Sequence, residues 1–202
     1  MPLSLPLRRS ALVVACSVLA VAGASATGSA ATASGTAQDR PGKVDLGRYA
    51  GTWYQLAAVP QLFEIQCKKN VRARYTLSAD GTVGVRNTCT TWWGSTSAVD
   101  GAALPLDSSG TSLNVSFQPK PGGGYVHTQE ANYVIAGLDE SYTWAAVTNE
   151  DRTSGFLLSR TPTIGKAELA AAVQSFTEAG VDPCALRPTR QDGGAQDPTQ
   201  LC

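Results

Sequence analysis

About eight short segments of alternating apolar and polar residues follow one another between Gly51 and Arg160, divided by turn residues at intervals of ten or so positions. No helical pattern interrupts them. In "VRARYTL", Val71, Ala73, Tyr75 and Leu77 share one face, while Arg72, Arg74 and Thr76 share the other. "SADG" then supplies an Asp-Gly hairpin turn. "TVGVRNTCTTWW" resumes with Val83 and Val85 on one face, and "SLNVSFQ" repeats the pattern with Leu113, Val115 and Phe117. "NYVIAGL", "YTWAAV" and "GFLLSR" add three strands rich in aromatic and β-branched residues, and "STSAVDGAAL" a less regular one. Consecutive antiparallel strands must hide their edges, and a closed up-and-down barrel does so; a two-sheet sandwich is the alternative.

After Arg160 the period changes. "TPTIGKAELAAAVQSFTEAG" carries Leu169, Ala172, Val173 and Phe176 at helical spacing, with Thr163 as the expected N-cap and Gly180 as the stop. Lys166 sits where a capping-box acid would help. A lone helix with one apolar stripe must pack on something larger, here the outside of the barrel. The expected fold is all-β: an eight-stranded antiparallel up-and-down β-barrel with one C-terminal α-helix on its outer surface.

The two ends read differently. Arg8 and Arg9 precede the apolar run "SALVVACSVLAVAGASA", which closes on the small-residue site Ala24-Ser25-Ala26. That pattern describes a secretory signal over residues 1–26, cleaved near Ala26. "VVAC" partly resembles a lipobox, which would instead place a lipid on Cys16, and "LRRSALV" weakly matches a twin-arginine signal. Residues 27–43 are small, polar and aperiodic, a flexible leader to a domain over residues 44–202. Location outside the cytoplasmic membrane, secreted or in the envelope, follows from the signal. Losing residues 1–26 removes two arginines and no acid, leaving 14 basic and 16 acidic groups. So even a balance gives no long-range field for nucleic acid.

Cys67, Cys89, Cys184 and Cys202 remain after the signal, an even number that implies two disulfides in an exported chain. Four cysteines allow three connectivities. With no C-x-x-C pair and one histidine, His127, neither a structural zinc site nor a bound cofactor is expected. "PKPGGGYVHTQEA" is glycine-rich but joins two strands without opening a helix, so it reads as a mobile loop and not as a phosphate cradle. The sequon Asn114-Val115-Ser116 falls inside a strand and is read as chance. Trp92 and Trp93 are adjacent, so one of them faces outward or sits at a loop tip. It would suit a protein interface or a peripheral membrane contact.

Gly51-x-Trp53-Tyr54 at the head of the first strand, with Arg160 just after the last, resembles the paired signature of the lipocalin family. "NYVIAGLDESYTWAAV" is similar to the family's middle motif, with Leu138-Asp139-Glu140-Ser141-Tyr142 in place of Thr-Asp-Tyr. The likeness is strongest to bacterial outer-membrane and apolipoprotein D-like lipocalins, and spans roughly Val44 to Gln191. It implies that Trp53 plugs the barrel floor beneath Arg160, a cation–π contact worth about 0.5–2 kcal/mol, and that Gly51 lets the chain pass close by. Tyr54 would point outward. Two departures bear on pocket polarity: Gln55 stands where this branch usually has glutamate, and the last strand has only Phe156 as an aromatic.

The resemblance also implies the bridges Cys67–Cys202 and Cys89–Cys184, each closing a loop of around 100 residues and stabilising by a few kcal/mol. It implies a lumen lined by Val71, Ala73, Tyr75, Val83, Val85, Leu113, Val115, Phe117, Tyr133, Ile135, Val147, Phe156 and Leu158, with Leu62 and Phe63 guarding the open end. The same residues could instead fill a solid core. The function it implies is non-catalytic carriage of a small hydrophobic molecule: a fatty acid, lysophospholipid or similar lipid. A few lipocalin-like proteins are isomerases or de-epoxidases. Here His127 is the only histidine for a nucleophile's base or a haem ligand, and it lies in the glycine-rich loop. A secreted inhibitor that uses its loops is the third reading.

Overall fold

The structure is a computed structural model that describes residues 41–194 and 201–202. The signal segment and residues 27–40 of the leader lie outside the described residues. Asp45 opens a single helical turn, α1 (Leu46–Tyr49), by accepting from the Gly47 and Arg48 N–H groups. Eight strands follow, each falling on one of the alternating segments. They are β1 (Gly51–Ala58), β2 (Cys67–Leu77), β3 (Val83–Thr91), β4 (Thr96–Pro105), β5 (Ser112–Ser116), β6 (Tyr133–Leu138), β7 (Trp144–Thr148) and β8 (Gly155–Ser159). Each pairs antiparallel with the next, and β1 pairs with both β2 and β8, so the sheet closes on itself. No sandwich forms.

Closure at the two ends of β1 differs. Near the floor, Gly51 lies opposite Tyr75 and Trp53 opposite Ala73. The β1–β2 pairing stops after Tyr54, and the gap beyond it is filled by the C-terminal segment. A two-residue strand, β9 (Arg187–Pro188), pairs with Ala57 and Ala58. Beyond it Thr189 N donates to Leu56 O, and Asn70 N to Arg190 O, both at 2.8 Å. Gln191 is buried in this seam and its Nε2 donates across it, to Gln55 O at 2.8 Å and Val71 O at 2.9 Å. Where the sequence reads as a tail, the chain is a seal for the barrel wall.

Alternation sorts the strand residues into two apolar layers. One fills the barrel and the other lies beneath α2 (Lys166–Glu178). A bulge between Gln55 and Ala57 moves β1 from one layer to the other, so Trp53 faces inward while Ala57 joins the helix-side core. The helix buries Ala172, Ser175 and Phe176 and packs against β6 and β7. Its start corrects the expected cap: Gly165, not Thr163, is the N-cap, and Glu168 accepts its N–H at 2.8 Å. The acid that Lys166 denied to a Thr163 cap is present for a cap two residues later. Gly180, at φ +80°, ends the helix as expected, with Val181 N bonded to Phe176 O and Gly180 N to Thr177 O.

The disulfides overturn the expected pairing. Cys67 bonds Cys89 and Cys184 bonds Cys202, so neither Cys67–Cys202 nor Cys89–Cys184 forms. The reason lies in strand register. Between Cys67 and Arg72, β2 carries extra residues relative to β3, with Asn70 left-handed at φ 58°. That irregularity sets Cys67 and Cys89 side by side on neighbouring strands, with Cα atoms 5.6 Å apart.

Candidate functional site

At the closed end, Gly51 has φ +105°, and a Cβ there would lie 3.0 Å from Arg160 Nη1. Only glycine meets both conditions. The Arg160 guanidinium sits 3.8 Å from the centroid of the Trp53 ring, which is fully buried. It also donates to the carbonyls of Arg48, Tyr49, Ala50, Thr52 and Tyr142. Burial pulls its pKa down, and these five oxygens replace the water it lost. Trp53 Nε1 donates to Tyr49 O at 2.8 Å, tying α1 to the floor. On the β6–β7 turn, Asp139 accepts from the backbone of Ser141, Thr143 and Trp144, and Tyr142 Oη accepts from Asp45 N at 2.9 Å.

Above Trp53 the inner face carries three tyrosines. Tyr49 tilts over Trp53 and stacks on Tyr75, with ring centroids 4.9 and 5.6 Å apart. Tyr133 Oη meets Tyr49 Oη at 2.7 Å and Tyr75 Oη at 3.0 Å. Burial raises the Tyr75 pKa to about 12 and pushes Tyr49 and Tyr133 well above the ordinary tyrosine value, so all three hydroxyls stay protonated at neutral pH. These rings, with Leu46, Val83, Ala103, Leu113 and Val115, enclose a cavity of about 10 Å³, room for about one water.

Of the residues named for the lumen, Ala73, Tyr75, Val83, Val85, Leu113, Val115, Tyr133, Ile135, Val147, Phe156 and Leu158 come together in the inner layer. Val115, Tyr133 and Phe156 remain half-buried there, on the side facing the mouth. Phe117 lies just past β5 with its ring against Gly101 and is 39% exposed, a mouth residue and not a buried one. Val71 is half-buried and stands outside the inner layer, because β2 parts from β1 at that level. Leu77, expected on the same face, is exposed at the strand's end. Sequence reasoning missed Leu46, Tyr49 and Ala103. The signal for the first two was the Asp45 cap followed by apolar residues three apart, one helical turn laid across the barrel end.

The open end is apolar at its tips. Leu62 and Ile65 in the β1–β2 loop are 88% and 75% exposed, and Trp93 in the β3–β4 loop is 85% exposed; Phe63 and Trp92 are also exposed. Trp92 Nε1 donates to Ile65 O at 3.0 Å, joining the two loops above the Cys67–Cys89 bridge. Just inside, Gln55 Nε2 bonds Glu64 Oε2 and Thr189 Oγ1, each at 3.2 Å, and burial raises the Glu64 pKa. Asn87 shares the inner face with Val83 and Val85, and its Oδ1 is buried without a partner. Tyr54 lies on the outer face beneath the Arg72 guanidinium. The glycine-rich loop folds back as a hairpin with Val126 N on Gln118 O, and His127 Nδ1 meets Asn114 Oδ1 at 3.1 Å. Asn114 is itself buried, its Nδ2 bonded to Thr128 Oγ1 and Glu130 O, which leaves the sequon no room for a glycan.

Residues 44–191 match the lipocalin-like domain family. Temperature-induced lipocalin-1 of Arabidopsis thaliana is 30% identical over 151 residues, covering 73% of this chain and 80% of that protein. Outer membrane lipoprotein Blc of Citrobacter freundii is 35% identical over 153 residues, covering 74% and 80%. Among solved structures, insecticyanin of the tobacco hornworm Manduca sexta superposes with a TM-score of 0.57 at 13% identity, over 75% of this chain and 82% of that one, a likeness of fold.

Proposed function

Because this chain belongs to the lipocalin family, we propose that it is an exported carrier that holds a small hydrophobic molecule in its barrel. The ligand classes are fatty acids, lysophospholipids and similar lipids. The observation that carries the reading is the inner layer itself: strand residues from all round the barrel turn an apolar, uncharged face to a lumen whose upper residues stay half-buried. The enclosed part of that lumen holds little more than a water, so a ligand chain lies above the tyrosines, between Tyr133, Val115 and Phe156 and the mouth. Export follows from the signal over residues 1–26; a leader over 27–43 then connects to the carrier domain, 44–202.

The exposed tips supply the loading surface. A bilayer suits them better than a protein partner, because two adjacent indoles favour the membrane interface and Lys68, exposed beside the Cys67 anchor, suits a lipid headgroup. Leu62, Phe63 and Ile65 would enter the acyl boundary beside them.

Titration with N-phenyl-1-naphthylamine, a neutral probe that brightens in apolar surroundings, tests the carrier reading. Saturation at one probe per chain, reversed by lysophosphatidylcholine, is expected. No enhancement, or enhancement that lysolipid leaves unchanged, would refute it.

A further inference from the structure

The three tyrosines in the lumen do not close their own hydrogen-bond account. Tyr49, Tyr133 and Tyr75 bring three hydroxyl protons, and the contacts at 2.7 and 3.0 Å use two. The relay can run from Tyr49 to Tyr75, the reverse, or inward from both ends onto Tyr133. In every case one O–H lacks an acceptor among the described residues. Tyr49 and Tyr75 are each more than nine-tenths buried, and all three rings line the same cavity. A buried donor without an acceptor is costly, and a relay of hydroxyls polarises the last O–H into a better donor.

The charge around this donor is equally specific. No inner-face position on the eight strands carries a cation: Gln55, Asn87, Tyr75 and Tyr133 are its largest polar groups. Arg160 is spent on five backbone carbonyls behind Trp53. The charged group bonded to Gln55 just inside the mouth is an acid, Glu64. An ionised carboxylate entering here would find one hydrogen bond and no counter-charge, a poor return for its desolvation.

We propose that the Tyr49–Tyr133–Tyr75 relay is the head-group end of the ligand site and that it selects a neutral lipid oxygen, such as the hydroxyl of a fatty alcohol or the carbonyl of an ester or ketone, over an ionised carboxylate. This rests on the carrier reading and narrows its ligand classes. The acyl or alkyl chain then points to the mouth, between Val115 and Phe156.

Calorimetric titration of the intact protein with 1-dodecanol and with dodecanoate at pH 8 tests it, because the two ligands share a chain and differ in the head. Dodecanol is expected to bind more tightly by at least about tenfold. Dodecanoate should weaken by about tenfold for each pH unit above the acid's own pKa, since only the neutral acid enters. Tyr133→Phe breaks the relay and should cost dodecanol about three- to tenfold; it also lowers the thermal midpoint, because the buried Tyr49 and Tyr75 hydroxyls lose their shared partner. Tyr54→Phe, on the outer face, should change neither affinity. Equal or tighter binding of dodecanoate at pH 8, or a Tyr133→Phe protein that binds dodecanol as before, would overturn the head-group assignment and leave the carrier reading standing. Binding of neither ligand would overturn the head-group assignment, and the carrier reading then stands or falls on the N-phenyl-1-naphthylamine titration.

Discussion

Arg160 does its work through six contacts at once, five carbonyls and the Trp53 face, so its removal leaves oxygens at the closed end that no lysine can reach together. Arg160→Ala should destabilise the fold by about 2–4 kcal/mol and Arg160→Lys by most of that, read from urea unfolding. Gly51→Ala meets both a left-handed φ and the guanidinium 3.0 Å away, and should cost about 1–3 kcal/mol by the same measurement. Both residues were legible in the sequence because they stand in a paired motif, Gly51-x-Trp53 at the head of the first strand and Arg160 just after the last. Tyr49 was not, since an isolated tyrosine before a strand looks like many others. Its place in the relay depends on a one-turn helix folded over the barrel end. Glu64 gives a pH signature. Burial raises its folded pKa, so the native state holds its proton more tightly than the unfolded chain. The stability it allows is full below the ordinary glutamate range and falls as pH rises through the folded pKa. Glu64→Gln should flatten that fall when unfolding is followed from pH 4 upward, about the range where glutamates titrate.

At the scale of elements, strands such as β2 and β3 and the helix could be read from periodicity, whereas β6, β7 and β8, buried on both faces, were legible from their aromatic and β-branched content. What periodicity could not supply was register. The extra residues in β2 and the bulge in β1 are single-residue events, yet they decide which cysteines meet and which face Ala57 joins. The observed bridges span 22 and 18 residues rather than most of the domain, which reduces the expected stabilisation to about 3 kcal/mol each. Cys67→Ser with Cys89→Ser should therefore lower stability by about that amount and loosen the two loops they anchor, seen as faster amide exchange at Ile65 and Trp93. The C-terminal seal was also beyond sequence reading, because Gln191 is an ordinary residue whose role comes from the gap it bridges.

For the whole molecule, the proposed function joins the apolar lumen and the apolar rim in one arrangement, a carrier that loads where its mouth meets a bilayer. Trp92→Ala with Trp93→Ala should reduce co-sedimentation with phosphatidylglycerol-containing vesicles by about tenfold, as the loss of two interfacial indoles requires, and leave probe binding in the lumen intact. The family was legible because its motifs sit in order along the chain. The ligand was not, because the lining is built from residues that any barrel core would use. Native mass spectrometry of the exported protein, with lipid extraction of what co-purifies, tests the central claim most directly. One lipid per chain is the predicted result, and the same intact mass reports cleavage near Ala26 against diacylation at Cys16. A protein that emerges empty and takes up no lipid when offered it would contradict the account.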